Sequence, residues 1–290
     1  MTTQNKTNWP EQGIHHGVPF ADYRACDMTP DDNFTTCAGK SVSKSLIVDF
    51  IKDPAAWRIK PRKKQTAAMK AGSVFDCLLT TPGAFDDQYV VSPFDAFRTN
   101  ESKAWRAEQE SNGIGVLTQD ELEVAERQLQ AVQNKPEAAA LLDGCEYQVA
   151  FRHKTKHPFW SKGLIDVLPA DGETIVDIKT CEPRALESHR AMMSHILTWG
   201  YHIQAGCYAE GFSHASGQER HKFKFIFVSS AAPFTVAVVE LPLSAILFGA
   251  EVYRKGVKQL AQCLETNRWP SIWDGTVEID LPEYAYNETK

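Results

Sequence analysis

The hydrophobic positions change their period several times along the chain. Residues 1–40 show none that is sustained: Asn, Thr, Asp, Gly and Pro dominate, and an extended lead-in is expected with one docking segment at Phe20-Ala-Asp-Tyr23. At Ser41-Val-Ser43 a hydroxyl cap precedes Leu46, Ile47, Phe50 and Ile51 at helical spacing, with Pro54 and Trp57 beyond. Helical spacing recurs over 66–79, 101–110, 120–133 and 136–142, interrupted by a short strand-like run at 89–91. From Glu146 the pattern turns strand-like in three successive runs, 146–153, 160–168 and 174–180, the last two separated by the turn signal Pro169-Ala-Asp-Gly172. Helices at 182–195 and 201–212, strands at 222–229 and 235–241, and a long helix at 243–266 follow. The tail at 269–286 reads as irregular, packed through its aromatics. The expectation is an α/β fold with a helical N-terminal half, as one domain over 41–290 behind the lead-in.

Composition narrows the class. The 290 residues are 43% hydrophobic and 23% charged, enough for a true core. The longest apolar runs, such as Phe225-Ile-Phe-Val228, fall far short of a membrane span, and the polar start Met-Thr-Thr-Gln lacks a secretory pattern, so a cytoplasmic protein is expected. Seven scattered cysteines with no C-x-x-C pair argue against a disulfide framework and a zinc cage. A net charge of −6 disfavours a nucleic-acid partner only on average. Between Arg58 and Lys70 the chain has six bases and no acid, among them Lys60, Arg62, Lys63 and Lys64, a stretch able to grip phosphates or to sit as a solvated loop.

The chemistry concentrates in Gly163-Leu-Ile-Asp166-Val-Leu168 and Thr174-Ile-Val-Asp177-Ile-Lys179. On a strand, Ile175, Asp177 and Lys179 share one face; Asp166 shares its face with Leu164 and Leu168, leaving Ile165 and Val167 on the other. Both strands read as buried on two sides, where a carboxylate is costly unless paired or bound to a cation. Two carboxylates with a backbone carbonyl, that of Ile178, suit a hard cation such as Mg²⁺, and the lysine would orient or help deprotonate water and offset phosphoryl charge. The bland alternative is a buried Asp-Lys pair with Asp166 unrelated to it.

Asp166 followed by Asp177-Ile-Lys179 resembles the PD-(D/E)XK nuclease superfamily, and the surrounding chain resembles its RecE-like and RecB-like exonuclease branch, of the exodeoxyribonuclease VIII type. Ser41-Val-Ser-Lys-Ser-Leu46 with Phe50 and Pro54 is similar to the S-x-S-x-L..F...P signature of that branch, and Gln204-Ala-Gly-Cys-Tyr208 matches its Q-x-x-x-Y motif. The matching segments run in family order from about residue 40 to 275. The resemblance implies a restriction-endonuclease-like core, a central mixed sheet flanked by helices.

It also implies a Mg²⁺-dependent exonuclease, with Mn²⁺ as a substitute metal, acting on linear duplex ends from 5′ to 3′ and leaving 3′ single strands for an annealing protein. A homo-oligomeric ring is part of the same implication. Asp166 and Asp177 would hold metal, Lys179 would assist the attacking water and Gln204 would hold the nucleophile side. Ser43, Tyr201 and Tyr208 would support DNA, together with Arg58, Lys60, Arg62, Lys63 and Lys64; on spacing alone the two tyrosines are equally core aromatics. In Gly72-Ser-Val-Phe-Asp76 an aspartate stands where the family's G-x-x-x-H element has histidine, so Asp76 is a candidate metal ligand of altered character. Glu146, at the start of its strand, is a further candidate ligand or a solvated strand end. The iron–sulfur cluster of some relatives is not expected, since Asp53 precedes Pro54 where the early cysteine would stand and Cys263 is the only late one. Two other readings stay open: a RecB-like single-strand or flap nuclease, and a DNA-binding module without catalysis.

Overall fold

Two short strands and a helix bring the N-terminal segment against the central sheet. The structure, a computed structural model, describes residues 12–61, 66–281 and 286. Its elements run β1 (Gly13–His15), α1 (Phe20–Ala25), β2 (Ser41–Val42), α2 (Lys44–Lys52), α3 (Pro54–Arg58), α4 (Ala67–Thr80), α5 (Phe85–Gln88), β3 (Tyr89–Val91), α6 (Asn100–Ser111), β4 (Gly115–Leu117), α7 (Gln119–Gln133) and α8 (Pro136–Leu142). The second half follows as β5 (Glu146–Lys154), β6 (Trp160–Leu168), β7 (Thr174–Cys181), α9 (His189–Trp199), α10 (Tyr201–Ser216), β8 (Lys222–Ser229), β9 (Val236–Leu241) and α11 (Leu243–Thr266). Hydroxyl caps fix several starts: Ser43 accepts from the Leu46 amide, and Thr118 with Glu121 forms a capping box on α7.

The main sheet has the order β1-β5-β6-β7-β8-β9, with β2 also on β6. It is mixed: β2 with β6 and β7 with β8 are parallel, the other pairs antiparallel. One face packs under α2, α10 and α11 through Phe151, Ile165, Phe223, Phe225 and Phe227. The other packs under α4, α7 and α8 through Val167, Val176, Ile178 and Ile226. Helices α10 and α11 cross closely because Gly206 and Gly249 lie where a Cβ would run into the facing backbone. That crossing sets the depth of Gln204 beneath the sheet.

The lead-in is not simply extended. Gly13–His15 pairs with β5, and α1 docks its Tyr23 on the sheet beside Ala150 and Leu164. Isolated tripeptide strands carry almost no periodic signal, which is why the pattern missed them. The strand-like run at 89–91 finds its partner in β4, also too short to read.

The strict alternation expected for β5 and β6 also breaks. Tyr147 and Val149 are two apart yet pack into opposite cores, and so do Val167 and Ile165, their partners across the ladder. The cause lies at Gln148, opposite Asp166, whose φ of 52° is left-handed and turns the strand over. Further along, β6 and β7 share a single register pair, Val167 with Val176, and then separate. The other end of that edge of β6 is taken by β2, at Trp160 and Ser161. A gap opens in the sheet between them.

Candidate active site

The gap is where the charged residues meet. A cleft of about 440 Å³ is lined by Ser43, Lys44, Asp76, Gln148, Asp166, Asp177, Lys179, Tyr201, Gln204 and Tyr208, and by Tyr23, Arg24 and Asp27 from the lead-in. Asp166 reaches over the separated strands, and its Oδ2 accepts the Ile178 amide at 2.9 Å, replacing a ladder bond that the splayed backbone cannot make. Asp177, only 1% exposed, is ion-paired to Lys179 and accepts a hydrogen bond from Gln204 Nε2. Its Oδ2 has no aligned hydrogen bond besides that ion pair. Lys179 also reaches the Ile178 carbonyl at 3.3 Å.

Asp76 enters from α4. Its carboxylate accepts from Gln148 Nε2 at 3.3 and 3.2 Å. Burial raises it to about 6; the Asp177 charge pushes it the same way, against Lys179 and the Gln148 bond. Asp166 is likewise pushed well above the usual carboxylate range, first by burial and then by Asp177 and Asp76, against the pull of Lys179 and the Ile178 amide. Burial works to lower the Lys179 ammonium, but Asp177 and Asp166 outweigh it and hold it above the ordinary lysine value. Lys179 therefore enters as a cation.

Helix α2 contributes its N-terminus, with Ser43 as cap and Lys44 in the first turn. Lys44 is buried, donates to the Trp199 carbonyl at 3.1 Å and lies 5.1 Å from the centre of the Tyr201 ring. Burial, and next the Lys179 charge, lower it to about 8. Tyr201, 8% exposed, sits between the two lysines and against Phe225, while Tyr208 meets Phe151 edge-on at 5.5 Å. Both tyrosines are core aromatics whose edges reach the cleft.

Asp76, Asp166, Asp177, Lys179, Gln204, Tyr201, Tyr208 and Ser43 thus line the same cleft. Three candidates do not. Glu146 is 58% exposed and faces His16 at 3.3 Å; the residue of β5 that enters the cleft is Gln148, two positions on. Arg58 is turned inward, donating to the Asp32 carbonyl at 2.7 Å and stacking 4.7 Å over Trp269, so it ties chain segments together instead of facing DNA. Lys60 is held by Asp49 at 3.2 Å. Arg62, Lys63 and Lys64 lie outside the described residues. Sequence reasoning missed Lys44, although it adjoins the cap Ser43, and missed Gln148.

The donor set fits a hard divalent cation. All three carboxylates are oxygen donors; Asp177 raises the proton affinity of Asp76, and Asp177 and Asp76 raise that of Asp166, with the Lys179 ammonium ion-paired to Asp177. Among the described residues no three His, Cys, Asp or Glu side chains close into a metal cage. Mg²⁺ does not require one, since it takes one or two carboxylates and completes its shell with water and phosphate oxygens.

Residues 43–278 match a family described as a PDDEXK-like domain of unknown function (DUF3799). The chain belongs to that family. Among solved structures, a candidate exonuclease of Eubacterium rectale is similar to this PDDEXK-like chain over 84% of its length and 91% of the other, with a TM-score of 0.57 at 14% identity. A phage-related exonuclease from Haemophilus somnus 129PT matches over 76% and 96% at 13% identity and a TM-score of 0.32. The alkaline exonuclease of Laribacter hongkongensis matches over 64% and 96% at 14% identity, with a TM-score of 0.29. No curated protein matches the chain. The family match and the Eubacterium rectale structure give the fold as PDDEXK-like. Among the described residues no helix is long and apolar enough to cross a membrane.

Proposed function

We propose that this protein is a divalent-metal-dependent exodeoxyribonuclease that hydrolyses linear duplex DNA from the 5′ end and leaves 3′ single strands for an annealing protein in the cytoplasm. The observation that carries the reading is the meeting of Asp166, Asp177 and Lys179 where β6 and β7 part. Asp76, Asp166 and Asp177, with the Ile178 carbonyl, would hold Mg²⁺, or Mn²⁺ in its place. Such an ion supplies Lewis acidity at the scissile phosphate and neutralises its charge.

The chain's own groups do the rest. Lys179, cationic beside Asp177, orients the attacking water and offsets charge on the phosphoryl oxygens. Gln204 fixes the rotamer of Asp177 from beneath the sheet. The α2 N-terminus with Ser43 and Lys44 offers amides, a hydroxyl and an ammonium to backbone phosphate. Tyr201 and Tyr208 shape the wall along which the strand passes, and Arg62, Lys63 and Lys64 add phosphate contacts.

A homo-oligomer accords with two exposed apolar pairs, Met193 and Leu197 on α9 and Leu243 and Leu247 on α11, all more than half exposed. End-labelled linear duplex, incubated with Mg²⁺ and analysed beside native mass, tests polarity, activity and assembly together. The expected result is 5′-directed nucleotide release from linear but not closed circular DNA. Release no greater than that of an Asp177→Ala control would remove the enzyme reading.

A further inference from the structure

Gln148 holds a backbone conformation that a glutamine ordinarily avoids. It lies inside β5, between two ladder pairs, Tyr147 with Val167 and Val149 with Ile165, and no turn requires its φ of 52°. The conformation switches the two cores between faces, and a glycine would accomplish that switch without steric cost. The side chain present instead reaches α4. Its Nε2 lies 3.3 and 3.2 Å from the two Asp76 carboxylate oxygens and 3.1 Å from Thr80 Oγ1.

The amide orientation follows from chemistry. The Thr80 hydroxyl donates its proton to the Asp76 carbonyl at 2.8 Å, so only lone pairs remain toward Gln148, and a flipped amide would set oxygen against three acceptors. Asp76 stands on a helix, at a site whose other two carboxylates come from strands, so its aim depends on what holds it across the α4–β5 boundary.

We propose that Gln148 is a positioning residue: its carboxamide clamps the Asp76 carboxylate toward Asp166 and Asp177, and the left-handed backbone at 148 serves to deliver that carboxamide. The inference rests on the metal-dependent nuclease reading. It explains why a long donor side chain occupies a position where glycine would be easier, and why the carboxylate of α4 functions here without a ring nitrogen.

Two variants test it. Gln148→Gly keeps the face switch, relieves the backbone and removes the clamp; Gln148→Asn tolerates the left-handed conformation but is one methylene too short to reach Asp76. In chelator, Gln148→Gly is expected to keep cooperative urea unfolding, the relief of the left-handed backbone offsetting part of the hydrogen bonding lost at Asp76. Calorimetric titration with Mn²⁺ is expected to show affinity lowered about tenfold or more in both variants, with the single-turnover rate on linear duplex falling in parallel. Affinity within twofold of wild type in Gln148→Gly would overturn the proposal, as would loss of cooperative unfolding, which would make Gln148 a packing residue. Failure of the nuclease reading is distinct: the wild type itself would neither bind Mn²⁺ nor release nucleotides.

Discussion

Replacing Asp76 by Asn should make the protein more stable and less active, and the size of the gain is set by pH. Asp76 has an ordinary carboxylate value of 3.8 in the open chain and is raised to about 6 in the fold, chiefly by burial. The folded state therefore binds this proton more tightly than the unfolded chain does, and ionising Asp76 costs stability. Below about pH 4 both states are neutral at this position and the cost is absent. It grows between 3.8 and about 6 and is complete above 6. At about 1.4 kcal/mol per tenfold the ceiling is about 3 kcal/mol, and solvent at the cleft mouth reduces it to about 1 to 3 kcal/mol. Asn is neutral throughout and keeps one of the two Gln148 contacts through its Oδ1. Urea midpoints in chelator, measured from pH 4 to 8, should show the variant gaining on the wild type as pH rises to 6 and then holding a constant lead. Added Mg²⁺ should narrow that lead, because on the proposed reading it binds the native wild type and not the unfolded chain. A variant less stable than wild type at pH 7.5, or a difference that does not vary with pH, would refute the argument that Asp76 is held ionised against its surroundings.

Lys179→Ala should bind duplex ends with near-unchanged affinity while losing about 10²-fold or more in turnover, since its proposed role is in the chemical step; gel-shift and single-turnover assays separate the two, and equal losses would count against it. Neutralising Arg62, Lys63 and Lys64 together should weaken DNA binding irrespective of sequence and flatten the slope of log affinity against log salt by up to about 3. An unchanged slope would place the DNA elsewhere.

The helices and long strands were legible because their patterns repeat over enough residues to be read: α4, α7, α10 and α11 stand close to where their spacing puts them. The Asp166 and Asp177-Ile-Lys179 strands were legible for the same reason, joined to an order of motifs. What failed was local. Period-two reasoning assumes one backbone conformation along a strand, and one left-handed residue at 148 reverses it; Glu146 was a candidate only as the acid that starts its strand, whereas Gln148 is the residue of β5 in the cleft. The basic run at 58–70 looked uniform in sequence, but Arg58 donates to the Pro30 and Asp32 carbonyls. No period in the sequence announces such tertiary bonds.

The lead-in was legible only in part: the docking segment at Phe20–Tyr23 was expected, but β1 is too short to show a period and the buried charge that helps fasten α1 gives no stripe. Lys162 on β6 is fully buried, ion-paired to Asp27 at 2.6 Å and donating to the Tyr23 carbonyl, with the Tyr23 ring 3.9 Å away. This arrangement anchors α1 and brings Tyr23, Arg24 and Asp27 to the cleft. An ammonium taken out of water is tolerable only with its counter-ion, so the two partners should respond unequally to removal. Asp27→Ala leaves the charge buried and is expected to cost about 3 to 5 kcal/mol, whereas Lys162→Met removes the charge, fills much of the same volume and should cost far less. Denaturant unfolding compares them directly, and limited proteolysis ahead of Ser41 reports whether the segment has detached. If the two variants lose the same stability, the attachment is a matter of packing around Tyr23 and not of the charge, and the lead-in should then stay on the sheet when Asp27 alone is removed.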